Sequence, residues 1–276
     1  MSFKNIKVLK FYEELPFNIY GDLKTAEEKI KKFNPLNIYP ELKKIIINHK
    51  KTKIIDFGCG GGWLVNSLAY HLKEKIEVTG VDFNSKVIEY ANKIKSNLSL
   101  DSNFICSDLF EFDNNKKYDV IISLGVLHHT NNCSEAIKYI SKFGDLNSYI
   151  FLGLYHKYGR EPFLNYFKNM IDKSDDYKFE KYKNLHSIED EKKLYSWFRD
   201  QVLHPHETQH TLEEVKNIFD LTKYEIISTS INKFKKIEKI SDIISDEKKL
   251  KNYSEEKIKK KEYYPGFFIT VAKKNI

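Results

Sequence analysis

Residues 54–64 read Ile-Ile-Asp-Phe-Gly-Cys-Gly-Gly-Gly-Trp-Leu. A short apolar run breaks into a glycine cluster, and the glycines open onto a helical pattern from Trp63 to Leu72. Glycines at such a junction let the chain turn tightly and let backbone N–H groups approach a ligand at the helix N-terminus. A strand, a glycine turn and a helix in that order start a strand–helix–strand crossover. The rest of the fold must continue the crossover. A second strand is expected over 76–81 and ends at Asp82, and a helix is expected over 86–96. A short strand follows at 103–106 and another apolar strand at 148–155. Between them lie a continuous apolar strand at 118–124, of the kind covered on both faces, and a helix at 134–143. The expectation is an α/β chain with a mostly parallel sheet.

The pattern changes on either side of this unit. Residues 1–48 mix polar and aromatic positions. They predict a short helix around Phe11–Phe17, a helix capped by Thr25 with Glu28 completing the box, and a helix from Pro40 to Ile47. This segment is expected to be a helical lid. After Tyr155 the alternation stops for about fifty residues, too many for an ordinary strand–helix loop. Residues 157–207 are therefore expected to form an inserted helical cap that contributes to a substrate pocket, while 49–156 and 208–276 form the main domain. Thr211 and Glu214 write a capping box for a helix to Phe219, and strands follow at 224–230 and 267–272. The Lys- and Glu-rich stretch between them, 233–261, reads as a solvated helical excursion, with a basic docking surface as the other reading.

Composition narrows the function. The 276 residues carry 46 Lys and Arg against 39 Asp and Glu, a net charge of +7 spread along the whole chain. A nucleic-acid binder more often concentrates its charge, so nucleic acid is possible but not favoured. The three cysteines, Cys59, Cys106 and Cys133, are odd in number and widely spaced, which argues against disulfides and fits a reducing compartment. No apolar leader follows Met1, and the longest apolar stretch is too short to span a bilayer. The expectation is a cytoplasmic protein without membrane contact.

A dinucleotide fingerprint fails at the third glycine, which is replaced by Trp63, and no Gly-Lys-Ser/Thr follows for a phosphate loop. What remains is G-x-G-x-G after a strand-end Asp. It resembles the first motif of class I S-adenosylmethionine-dependent methyltransferases, in a bacterial type 11/12-like subgroup. Asp82, about 20 residues on, Ser107-Asp108-Leu109 and the "LHH" exit at 127–129 stand in the same order as in that family. The resemblance covers roughly 50–155 and implies a Rossmann-like, doubly wound sheet with an antiparallel last strand. It also implies S-adenosyl-L-methionine as cofactor. Asp56, Gly58, Cys59, Gly60 and Gly62 would lie at its methionine portion, flanked by Ser123 and Leu124. Asp82 and Phe83 would hold ribose and adenine, and Asp108 and Leu109 the adenine edge.

Absent motifs matter too. No Asn/Asp/Ser-Pro-Pro-Tyr/Phe follows the fourth strand, and no Pro-Cys pair is present, which disfavours the usual base and amide methylations. The expected acceptor is a small molecule. Candidate bases are His128, His129, His204 and His206. Candidate substrate contacts are Tyr12, Tyr20, Tyr155, His156, Tyr158, Arg160, His204, His206, Glu207 and His210. Three of the nine histidines fall within 204–210. No metal site is expected, although His204, His206 and His210 could supply imidazole ligands, and loop packing also accounts for them. A tRNA or protein methyltransferase, and a cofactor-binding partner without turnover, stay open.

Overall fold

The computed structural model describes residues 6–17, 19, 22–46 and 51–275. Four helices precede the sheet: α1 (Ile6–Glu14), α2 (Leu23–Lys32), α3 (Pro35–Ile38) and α4 (Pro40–Ile46). Then come β1 (Thr52–Phe57), α5 (Trp63–Leu72), β2 (Ile76–Asp82), α6 (Ser85–Asn97), β3 (Ser102–Cys106), β4 (Tyr118–Leu124), α7 (Cys133–Ser141) and β5 (Gly144–Tyr155). Three helices interrupt the alternation: α8 (Lys157–Lys168), α9 (Asp175–Lys183) and α10 (Glu191–Val202). The chain closes with α11 (Leu212–Leu221), β6 (Tyr224–Thr229), α12 (Ile240–Asp246), α13 (Lys249–Lys259) and β7 (Phe267–Lys274).

The seven strands lie in the order β3-β2-β1-β4-β5-β7-β6. Pairs from β3 to β5 are parallel, and β7 runs antiparallel to both β5 and β6. This is the Rossmann-like sheet with an antiparallel last strand that the motif order implies. Side chains alternate faces along each strand. Ile54, Val120, Ile122 and Phe151 enter a core covered by α4 and α5. Ile55, Phe57, Ile121, Ile150 and Leu152 enter the opposite core, covered by α7 and α11. Burial on both faces is why β4 reads as an unbroken apolar run.

One local expectation is corrected and another is refined. Helix α2 starts at Leu23, because the Asp22 carboxylate accepts the Thr25 N–H (2.8 Å) and takes the cap position assigned to Thr25. The stretch 233–261 is helical and mostly exposed, as expected, but it is anchored to the main domain at a buried residue. Glu247 in it is 3% exposed, accepts a hydrogen bond from His156 Nε2 (2.9 Å) and another from the Leu212 N–H (2.7 Å). Lys251 pairs with Glu161 of α8. The cap on α11 holds as expected, with Thr211 and Glu214 completing a reciprocal box. Helices α8–α10 share a separate aromatic core of Phe163, Phe167, Phe179, Tyr182 and Phe198.

Candidate active site

The glycine loop is built at the carboxyl end of β1, where ligands bind in open α/β sheets. Gly58, Gly60 and Gly62 all have left-handed φ, of 77°, 51° and 73°. Gly58 donates its N–H to the Val81 carbonyl (2.7 Å), which folds the loop against β2. The Asp82 carboxylate accepts from the Gly60 N–H (2.9 Å) and the Asn84 N–H (2.9 Å). Two backbone donors thus fix its orientation at the strand end.

A cavity of ≈ 490 Å³ opens over this edge, within the range of about 300–1,000 Å³ typical of small-ligand sites. Gly58, Gly60, Asp82, Phe83, Asp108, Leu109 and Leu124 line one end. Tyr12, His129, Tyr155, Trp197, Asp200 and Tyr263 line the other. Among the described residues that line it there is no Lys or Arg. The cavity is therefore continuous from the glycine loop to the helices inserted after β5.

Other residues singled out in the sequence lie off this wall. Asp56 is buried within β1, and burial together with the neighbouring Asp82 raises its carboxyl to about 7. Cys59 turns its sulfur toward Gly80 of β2, where an added Cβ would sit 2.7 Å from it. Gly62 caps α5 and is crowded by Ala91 and Phe104. Ser123 donates to the Phe57 carbonyl (3.0 Å), tying β4 to β1. These residues pack beside and beneath the loop. Tyr20 lies outside the described residues.

The histidines separate. His128 is fully buried, stacks at 4.4 Å on Tyr155 and is absent from the wall. His206 Nε2 donates to the Thr130 carbonyl (2.9 Å), and His210 Nε2 bonds the Thr208 hydroxyl (2.9 Å). His156 caps α8 by accepting the Gly159 N–H on Nδ1 (3.3 Å). His204 leaves this group and packs against His129, ring centres 3.8 Å apart and ring planes tilted by 31°. Burial lowers His129 to about 4 and His204 to about 3, so both are neutral bases at physiological pH.

Arg160 is a structural keystone. It is completely buried, grips Glu207 with two bonds (2.9 and 2.6 Å), and donates to the Gln201 and Pro265 carbonyls. Its guanidinium lies 3.8 Å from the Tyr155 ring centre. Burial pushes the Glu207 carboxyl up, but the Arg160 charge outweighs it and holds it below its usual value. Neither residue lines the cavity, and Tyr158 does not either.

The wall also holds residues that the sequence pattern did not single out: Trp197, Asp200, Gln201, Tyr263 and Pro265. Asp200 accepts the Tyr12 hydroxyl (2.6 Å), joining α10 to α1. The Gln201 amide oxygen accepts from both Tyr182 and Tyr263 (2.8 Å each).

Residues 48–268 match a family model described as "Methyltransferase domain". The chain belongs to this family, the class I, S-adenosylmethionine-dependent methyltransferases. Over 141 residues it is 32% identical to a ubiquinone biosynthesis O-methyltransferase of Rickettsia typhi, covering 50% of this chain and 55% of that protein. The homologue in Rickettsia prowazekii is 31% identical over the same length. The chain thus spans about half the length of these curated relatives. Among solved structures, magnesium protoporphyrin IX methyltransferase from Synechocystis PCC 6803 with bound SAH aligns over 97% of this chain and 98% of its own (TM-score 0.55, 17% identity). PKMT2 from Rickettsia typhi in complex with AdoHcy aligns over 82% of this chain and 49% of its own (TM-score 0.61, 18% identity). At these identities the structural likeness carries the fold.

Proposed function

We propose that this methyltransferase acts on a small, uncharged acceptor bound in the cavity between the glycine loop and the inserted helices. One observation carries the reading. A single cavity joins the Asp82 end to an aromatic end, and among the described residues its walls hold no Lys or Arg to pair with an anionic acceptor. When bound, the cofactor would supply a methyl group on its sulfonium: an aligned acceptor lone pair would form the bond to the methyl carbon as the carbon–sulfur bond breaks, with S-adenosylhomocysteine as the leaving group.

The residues at the first end fit that cofactor. Asp82 keeps a carboxylate tied by two N–H donors at the place where an acid takes ribose hydroxyls. Phe83 and Leu109 offer apolar faces beside it, and Gly60 leaves open space, since an added Cβ would meet nothing within 4 Å. At the other end Tyr155, Trp197 and Tyr263 position the acceptor and exclude water, which supplies much of the acceleration. His129 lies on the wall as a neutral imidazole. Its Nδ1 donates to the His206 carbonyl (2.9 Å), so Nε2 carries the lone pair. Residues 1–48 and 157–207 act as lid and cap in this reading. The curated relatives make a hydroxyl oxygen the first acceptor atom to try.

The enclosed aromatic end favours this over a tRNA or protein acceptor. Calorimetric titration with S-adenosylmethionine and S-adenosylhomocysteine, beside Asp82→Ala, tests the first step. Micromolar binding that Asp82→Ala removes is the expected result. Turnover is then sought by following transfer of labelled methyl to phenols, alcohols and amines. Folded protein that binds neither ligand refutes the proposal.

A further inference from the structure

We infer that His129, Asp200 and His204 form a binding site for a divalent transition-metal cation at the acceptor end of the cavity. The inference rests on the reading of that end as the acceptor site. One ligand atom from each of the three residues lies within 4.8 Å of the other two, and His129 Nε2 is 3.9 Å from Asp200 Oδ1. Asp200 in the last turn of α10 and His204 in the loop after it meet His129 from the exit of β4.

Two of the three groups have a ring nitrogen without a hydrogen-bond partner. His129 Nε2 and His204 Nε2 are both buried and form no hydrogen bond. Buried polar atoms are nearly always satisfied, so two orphans beside a buried carboxylate call for an ion or a water. His129 is already arranged as a ligand. Its Nδ1–H is committed to the His206 carbonyl, the outer bond that metal-bound imidazoles usually make, and its free lone pair is on Nε2. Asp200 supplies the negative charge. Tyr12 donates to one of its oxygens (2.6 Å), and lone pairs remain for a cation.

The surrounding charges permit a cation. Arg160 is the nearby fixed positive charge, and Glu207 neutralises it through two bonds. His204 needs one change. Its Nδ1 now accepts the His206 N–H (3.1 Å), and metal binding on Nε2 would move the ring proton to Nδ1 and break that bond. The three ligand atoms would also close up by about an ångström, since bonds of ~2.0–2.1 Å set neighbouring ligand atoms roughly 3.4 Å apart. Two imidazoles and one carboxylate suit zinc, iron or manganese, whereas magnesium and calcium prefer all-oxygen shells. His129 and Asp200 line the cavity, so an acceptor oxygen could complete the coordination.

The test uses the purified full chain, stripped with a chelator and titrated calorimetrically with zinc, with magnesium as control. A cobalt absorption spectrum reports coordination. Zinc is expected to bind 1:1, at least 100-fold more weakly in Asp200→Asn and in His204→Gln, and unchanged in His210→Gln. Binding of S-adenosylhomocysteine is measured on every sample. Variants that keep ligand binding but lose zinc support the site, and this readout also shows that they fold. Absence of zinc binding in protein that still binds S-adenosylhomocysteine overturns the metal site alone. Zinc binding unaffected by both substitutions overturns it as well. Failure to bind S-adenosylhomocysteine would strike the functional reading instead.

Discussion

Alanine at Gly58 and at Gly60 should separate stability from ligand binding. Both residues have left-handed φ, 77° and 51°. An L-residue there costs about 1–2 kcal/mol at either position. Their surroundings differ. A Cβ at Gly58 would sit 2.4 and 2.5 Å from the two γ-carbons of Val126, in the turn after β4. Overpacking of this kind costs roughly 1–3 kcal/mol more. A Cβ at Gly60 would meet nothing within 4 Å and would project into the cavity that Gly60 lines. Gly58→Ala should therefore lose about 2–5 kcal/mol and Gly60→Ala about 1–2 kcal/mol, read from urea unfolding without ligand. Binding of S-adenosylhomocysteine should show the reverse order in the folded state, with Gly60→Ala at least tenfold weaker (about 1.4 kcal/mol) because the methyl group occupies ligand space. If Gly58→Ala is no less stable than Gly60→Ala, Val126 does not close over the loop and the packing argument fails.

Asp56→Asn isolates one protonation. Its folded carboxyl is raised from 3.8 to about 7, so between these values the folded state holds a proton that the unfolded state has lost. Stability from this group is full below 3.8 and falls as pH rises toward 7, by at most about 4 kcal/mol at 1.36 kcal/mol per unit. The difference between wild type and Asp56→Asn in urea unfolding should therefore slope between pH 4 and 7, and parallel curves refute the burial argument. Arg160→Ala should cost about 3–5 kcal/mol because it leaves Glu207 charged and unpaired, and Arg160→Lys should recover only part of this since it cannot supply the two-pronged bond. Thermal unfolding ranks the three proteins. Tyr12→Phe removes the hydroxyl donor to Asp200 at a cost of roughly 1–3 kcal/mol. Hydrogen exchange should rise across α1 first, and unchanged protection there would show that this bond does not hold the helix.

The sheet was legible because its signals are local. A strand, a turn and a helix each span fewer than fifteen residues, and Asp82 and Thr211 mark strand and helix ends by chemistry that needs no distant partner. The acceptor end was not. Asp200, Gln201 and Trp197 look like ordinary members of a charged helix, and only the packing of α10 against α1 and the 263–267 segment turns them toward the cavity. The buried anchor of the insert at 233–261 was hidden for a related reason. Its many lysines are indeed exposed, but Glu247 is decided by His156, 91 residues away.

The histidine-rich loop shows where sequence proximity stops carrying spatial meaning. Residues 204–210 have no regular period, so nothing in their order says which side chains share a direction. The chain fixes that by pairing His210 with His156 at the end of β5, through the His210 N–H to the Tyr155 carbonyl and the Lys157 N–H to the His210 carbonyl. Thr208 is tied at the same time to the His128 carbonyl. With both anchors set, His206 turns to Thr130, His210 stays beside Thr208, and His204 reaches His129. A backbone register set by β4 and β5 thus splits an apparent triplet. It also assembles a pair whose members are 75 positions apart. The chemistry of the acceptor end follows from that register more than from the clustering of histidines in the sequence.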